Sequence, residues 1–330
     1  GVEQASTDAL TLEPIWPASV RTASDRTDLL GRTLALAALL DANAADVLLR
    51  PFAATDLTAT HAAALATVAE RHGAPWVVRQ MERWPVEPRP GAGPTAEWMS
   101  GLPVLAAALR GQPAIARVLL DLVWSTLEAR VGALARAQPT RSVVAQLTEV
   151  ATPVAALLRA AALAGQADLC RRVVATVTAH AGLRSTATVM ARLADDWDGD
   201  TRVTAGVVDV ARYAVARLRE ELARPVRDPQ DWSLTAPPGC GCRDCQTLAA
   251  FLADSREHVL AWPLAQHGRD HVAMRVRSAE SPVAVRTIKQ GRPYTLELTK
   301  KPAIFDQEAA RRRQAEDDLV GVADLLASWA

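Results

Sequence analysis

VLAAALRGQPAIARVLLDLV, residues 104–123, reads as two helices joined by a turn. Its first half is alanine-rich, Gly111 and Gln112 interrupt it, and then Ile115, Val118, Leu119 and Leu122 recur at the three-and-four spacing of one helix face. The unit returns as LLRAAALAGQADLCRRVVATV, residues 157–177, with its Gly-Gln pair at 165 and 166. There Leu169, Val173 and Val177 share a face, with Cys170 and Val174 beside them. A weaker echo, LALAALLDANAADVLLRPF, occupies residues 34–52. Repeated helical hairpins predict a mainly α fold, either a stack in the style of HEAT or armadillo repeats or an irregular helical bundle.

The helical period holds from about residue 27 to 224. Thr55 or Asp56 is expected to start a helix ending at His72-Gly73, and His180 with Gly182 reads as another C-terminus. Two stretches break the pattern: WPVEPRPGAGPTAEW (84–98), with four prolines and two glycines, and RPVRDPQDWSLTAPPG (224–239). Beyond them the period changes. SPVAVRTIKQGRPYTLELTKKP (281–302) alternates around Lys289-Gln290-Gly291-Arg292 and predicts a β-hairpin, the one place where strand chemistry is expected. The tail is an amphipathic helix with Leu319, Val322, Leu325, Leu326 and Trp329 as its apolar stripe. The expected organisation is an N-terminal helical region (1–90), a helical-repeat region (95–224), a small α+β metal module with a β-hairpin (231–305) and a C-terminal helix (306–330).

Composition limits the function classes. The chain has 330 residues, 49% of them hydrophobic, enough for a sizeable core, and Lys+Arg and Asp+Glu both total 37. Zero net charge gives no global signal for nucleic acid or an acidic membrane. Between Cys240 and Arg313, however, 13 Lys/Arg face 8 Asp/Glu, so the end of the chain is mildly basic. The opening GVEQASTDALTLEP lacks the basic start and apolar run of a signal peptide, and no segment reads as about 20 apolar residues in a row, so a cytoplasmic protein without a membrane span is expected.

Chemistry concentrates in 237–272, PPGCGCRDCQTLAAFLADSREHVLAWPLAQHGRDHV, which holds three of four cysteines and three of six histidines. Cys240, Cys242 and Cys245 are too close in sequence for an ordinary disulfide framework among themselves. Their C-x-C-x-x-C spacing lets a short knuckle, loosened by Gly239 and Gly241, wrap three sulfurs around one ion, and three thiolates with one imidazole are a common structural zinc set. The fourth ligand is His271, His267 or His258, with His267 and His271 four apart on one face of an expected helix. Such sets are closed, whereas catalytic zinc keeps an open position for water, so the ion is expected to be a staple.

Other constellations carry less. Asp196, Asp198 and Asp200 alternate as in a calcium loop, but the glycine is misplaced and position twelve is Val207, so a helix-helix loop is expected. Lysine occurs only at 289, 300 and 301, without a glycine-rich phosphate loop. Cys170 sits on an apolar face as a core thiol would. Arg275, Arg277, Arg286, Lys289, Arg292, Lys300, Lys301 and Arg311 to Arg313 are expected to form a basic surface, either a solvated face or a nucleic-acid contact.

Asp231-Trp232-Ser233 before the cysteines, LAAFLAD after them, Arg269-Asp270-His271 and finally TIKQGRPYTLELTK resemble the cysteine-rich C-terminal region of large proteins related to 2-oxoglutarate/Fe(II) oxygenases. The resemblance covers about Asp231 to Lys300 and is only general before it. It implies Cys240, Cys242, Cys245 and His271 as the metal ligands. The iron centre of those oxygenases needs H-x-D/E with a distant His, and no histidine of this chain begins such a triplet. The expected function is a non-catalytic scaffold with structural zinc that binds other proteins. The alternatives are nucleic-acid binding through the basic module, or the substrate-positioning part of a larger oxygenase.

Overall fold

The computed structural model describes residues 22–86, 94–137, 140–237 and 239–330. Positions 87–93, at the centre of the expected linker, lie outside the described residues, as do the first 21 positions and Pro238. Fourteen α-helices and three strands are described: α1 (Ala23–Ala37), α2 (Ala42–Leu49), α3 (Ala62–His72), α4 (Ala74–Met81), α5 (Ala96–Ala108), α6 (Pro113–Arg136), α7 (Arg141–Leu163), α8 (Ala167–Ala179), α9 (Arg184–Leu193), α10 (Gly199–Ala205), α11 (Val207–Ala223), α12 (Arg243–Ala253), β1 (Val259–Pro263), α13 (Gln266–Ser278), β2 (Val283–Ile288), β3 (Thr295–Lys300) and α14 (Ala303–Ser328). The molecule is mainly α, with a small antiparallel sheet after the cysteine cluster and a terminal helix. The described residues fall into two compact units, one within Gly1–Ala133, Glu149–His180 and Val189–Val210 and the other within Leu134–Thr148, Ala181–Thr188 and Ala211–Ala330.

The first unit is helical. Thr22 and Asp25 make a reciprocal capping box at the start of α1, and Asp41 caps α2 by accepting from the backbone N–H groups of Asn43 and Ala44. Leu30, Leu34 and Ala37 of α1 are fully buried, as their spacing requires. Asp56 does not start a helix. It is buried against Arg26, whose Nε and guanidinium nitrogen reach it at 2.8 and 2.5 Å, and it also accepts from the Ala53 N–H. The chain makes two short 3-10 turns there, and α3 begins only at Ala62. A buried Asp committed to an arginine is not available to cap the next helix.

Both Gly-Gln turns are observed between helices. Gly165 takes φ +72, a left-handed conformation that a side chain would strain, and Gln166 Nε2 donates to the Pro113 carbonyl at 3.2 Å. The two hairpins α5–α6 and α7–α8 therefore touch at corresponding turns, and Arg172 of α8 pairs with Asp121 of α6. Asp198 caps α10, taking the Thr201 N–H and hydroxyl at 2.8 and 2.7 Å, so the acidic 195–200 stretch is a capped helix-helix loop. Over Ser142–Leu163, α7 is long and apolar enough to cross a membrane by length and composition, contrary to the expectation that no segment is. It carries Glu149 and Arg159, and 44% of its apolar window is buried.

The second unit holds the sheet, in order β1-β3-β2 and antiparallel throughout. Val283 pairs with Lys300 and Ile288 with Thr295 across the expected hairpin, whose turn contains Gly291 at φ +75. The strand β1 lies outside the one stretch where strand chemistry is expected: Val259–Pro263 pairs along β3 from Val259↔Thr299 to Pro263↔Thr295. Its alternation is visible in VLAWP, with Leu260 and Trp262 turned to the core, but five residues ending in proline make a weak strand signal. One cluster joins sheet to helices: Leu248, Phe251 and Leu252 of α12, Val272 and Val276 of α13, and Val283, Leu296 and Leu298. The segment before the cysteines lies along α12, with Leu234 N–H donating to Leu252 O at 2.7 Å and Trp232 stacked edge-on against Phe305. On α14, Val322 and Ala315 are buried together with Asp318, which faces Arg184.

The expected basic surface is partly interior. Lys300 is 1% exposed, and Arg312 donates to Leu222 O and Arg224 O at the end of α11. Long cationic side chains satisfy helix C-terminal carbonyls here, a use invisible in a charge count.

Candidate metal centre

Cys240 and Cys242 lie on the loop into α12, and Cys245 on its first turn. Cys242 is the N-cap, extended at φ −67 and ψ 161, and its Sγ accepts from Cys245 N–H at 3.4 Å. This geometry places sulfurs where the helix N-terminus presents unpaired N–H groups and positive potential, which favours thiolates. Gln246 Nε2 donates to Gly241 O at 3.0 Å and holds the knuckle against the helix. The two glycines act differently. Gly241 supplies φ +75, whereas Gly239 supplies room, because a Cβ there would stand 2.8 Å from Cys245 Cβ and 3.2 Å from its Sγ.

His271 comes from α13, which the Val272 and Val276 contacts seat against α12. Arg269 pins the helix start: buried, it donates to Leu264 O at 2.5 Å and lies over the Tyr294 ring. The outcome is a cluster in which the four ligand atoms of Cys240, Cys242, Cys245 and His271 all lie within 4.8 Å of one another. Cys240 Sγ is 3.7 Å from Cys245 Sγ, and His271 Nε2 is 3.6 Å from Cys240 Sγ, 3.6 Å from Cys242 Sγ and 3.2 Å from Cys245 Sγ. Metal–sulfur bonds of about 2.3 Å and metal–nitrogen bonds of about 2.05 Å at tetrahedral angles require edges of about 3.8 and 3.6 Å. The four residues fit one ion.

The thiols are unequal. Cys240 is lowered to about 6, first by the Cys242 backbone N–H, then by hydrogen bonds from the neighbouring thiols, with a further contribution from His271. Burial raises Cys245. Cys170 is not one of the clustered thiols: it is buried on α8 and pushed up to about 11 by that burial, an inert thiol.

The other two candidate histidines stand outside the cluster. His267 lies parallel to His271, ring centroids 6.5 Å apart. His258 stacks on Trp232 at 5.3 Å, and its carbonyl accepts from Lys300 N–H at the start of the sheet. Arg275, one turn beyond His271, was counted only as surface charge. It lines a cavity of about 10 Å³ with Cys245, Gly239 and Leu248, and its Nε is buried without a partner among the described residues. Its i+4 spacing from His271 is the one sequence signal that could have found it.

No known protein family, curated protein or solved structure matches the chain.

Proposed function

We propose that Cys240, Cys242, Cys245 and His271 hold one zinc ion with a structural role, in a non-catalytic helical scaffold that works through contacts with other proteins. The observation that carries the metal reading is the closeness of the ligand atoms, four of their six edges being 3.2 to 3.7 Å and all six within 4.8 Å. Three thiolates and an imidazole favour zinc over the hard cations, which take oxygen, and four protein ligands close the tetrahedron. Bound there, zinc would supply a cross-link between the knuckle, the start of α12 and α13. Arg275 beside Cys245 offsets the net negative charge of three thiolates on a divalent ion.

Support for the scaffold reading comes from the adjoining hairpins, since stacked helix pairs present extended surfaces suited to partner proteins. Burial of Lys300 and the use of Arg312 on main-chain carbonyls leave less free cationic surface for nucleic acid. Closely spaced thiols suit a reducing, cytoplasmic setting.

Elemental analysis of protein purified without chelator tests the metal reading, with close to one zinc per chain expected. Protein that carries no zinc and takes up none when it is offered overturns it. Gel-shift titration tests the scaffold reading: tight nucleic-acid binding that weakens steeply with salt would replace it.

A further inference from the structure

The two edges of the sheet are not alike. On β1 the hydrogen bonds of Lys300 N–H to His258 O and of Leu264 N–H to Tyr294 O set the register, so the backbone groups of 259, 261 and 263 point to the free edge. One of these is Pro263, which has no N–H and blunts that edge. On β2, Lys301 N–H donates to Pro282 O at 2.8 Å, which leaves the N–H and C=O groups of Val285 and Thr287 pointing away from β3. Among the described residues no hydrogen bond reaches these four groups.

That open edge is one wall of a groove of about 570 Å³. Val285, Thr287 and Leu296 line it from the sheet, and Ala273, Met274 and Arg277 from α13. Met274 is 57% exposed. The volume falls in the range of ligand sites, and a strand edge faced by a helix is the geometry that receives an extended peptide by strand addition. The charge selects the peptide. From Ser281 to Lys301 the one acidic residue is Glu297, opposite Arg286 across the hairpin, against Arg286, Lys289, Arg292 and Lys301 besides the buried Lys300. On the α13 side the one acid in the lining, Asp270, stands against Arg269 and Arg277.

We propose that this groove takes an extended acidic segment of a partner protein as a fourth strand, bonded to the backbone of Val285 and Thr287. Alternate side chains of the guest enter between Met274 and Leu296, and the others, acidic, lie on the face of Arg286 near Lys289 and Arg292. The proposal rests on the protein-contact reading above and names the partner's chemistry. It does not depend on which metal the cysteines hold.

The probe is a fluorescein-labelled heptapeptide alternating Glu and Val, titrated by anisotropy against the zinc-replete full chain. Binding is expected, while the Lys/Val counterpart should fail. Thr287→Pro removes an N–H that makes no bond to β3, so the sheet is retained and affinity should fall about tenfold or more. A peptide N-methylated at alternate positions repeats the test on the unaltered protein and should also lose binding. Absence of binding by the acidic peptide, or binding indifferent to both Thr287→Pro and N-methylation, overturns the proposal. Zinc content measured on the same samples separates the outcomes: a zinc-loaded chain that ignores the peptide refutes the groove alone, and a zinc-free chain refutes the metal reading whatever the peptide does.

Discussion

The Lys300 ammonium donates to the main-chain carbonyl of Asp254 at 2.6 Å. It reaches Leu252 O as well, at 3.2 Å, and lies 4.7 Å from the centre of the Phe251 ring. The end of β3 is thus fastened to the C-terminus of α12, whose other end carries the cysteines. Burial lowers the Lys300 pKa, yet the carbonyls and nearby Asp254 keep a use for the charge. Lys300→Met preserves length and removes the donor, leaving the Asp254 carbonyl short of a partner. We expect a loss of about 1–3 kcal/mol in urea unfolding of the second unit. A midpoint unchanged from that of the unaltered protein would show that the ammonium is dispensable.

Gly239 and Gly268 make a discriminating pair. At Gly239 the new Cβ meets the Cys245 Cβ at 2.8 Å, a ligand held by a helix, so Gly239→Ala should weaken zinc binding markedly. At Gly268 the close atom is Asp244 Oδ2 at 3.0 Å, the end of a side chain that can swing aside, so Gly268→Ala should bind zinc as before. Competition with a chromophoric chelator measures both, and equal affinities for the two variants would contradict the steric account.

The histidines can be ordered by the same assay. His271→Ala removes a ligand and should release zinc to a chelator that leaves the unaltered protein loaded. His267→Ala removes a parallel neighbour at 6.5 Å and should cost at most about tenfold. Zinc loss in His267→Ala with retention in His271→Ala would reverse the assignment.

Much of this architecture is legible in the chain because it is periodic. The helical hairpins follow from apolar spacing and their Gly-Gln turns, and the β2–β3 hairpin from alternation around Gly291. What escapes is whatever depends on a partner distant in sequence. Asp56 looks like a helix start until Arg26 claims it. Lys300, Arg312 and Arg275 look like free surface charge until carbonyls or a cavity engage them, Lys300 fully buried and the two arginines half-buried. Val259–Pro263 is too short to declare itself a strand without β3 beside it. In the metal cluster the three cysteines meet through local spacing, whereas the choice among three histidines depends on how α13 packs against α12.

His61 makes the first unit sensitive to pH. It is 3% exposed, its Nδ1 accepts the Thr58 backbone N–H at 3.0 Å, and its Nε2 therefore carries the proton and donates to Thr27 O, also at 3.0 Å. Protonating Nδ1 would set two donors against each other in a buried site, and burial accordingly lowers the pKa below the ordinary 6.5. The unfolded chain then binds a proton more readily than the folded one. The stabilisation is complete above about pH 6.5 and is lost as pH falls below that value towards the lowered folded pKa, with a slope of at most about 1.4 kcal/mol per pH unit. The carboxylates with lowered pKa, among them Asp41 and Asp198, begin to contribute only nearer pH 4. His61→Gln keeps a neutral group able to accept and donate and removes the titration. Urea midpoints at pH 7.5 and 5.0 should therefore converge in His61→Gln relative to the unaltered protein, while acid release of metal acts equally in both. If the variant loses as much stability as the parent across that interval, the buried imidazole is not the group that senses acid.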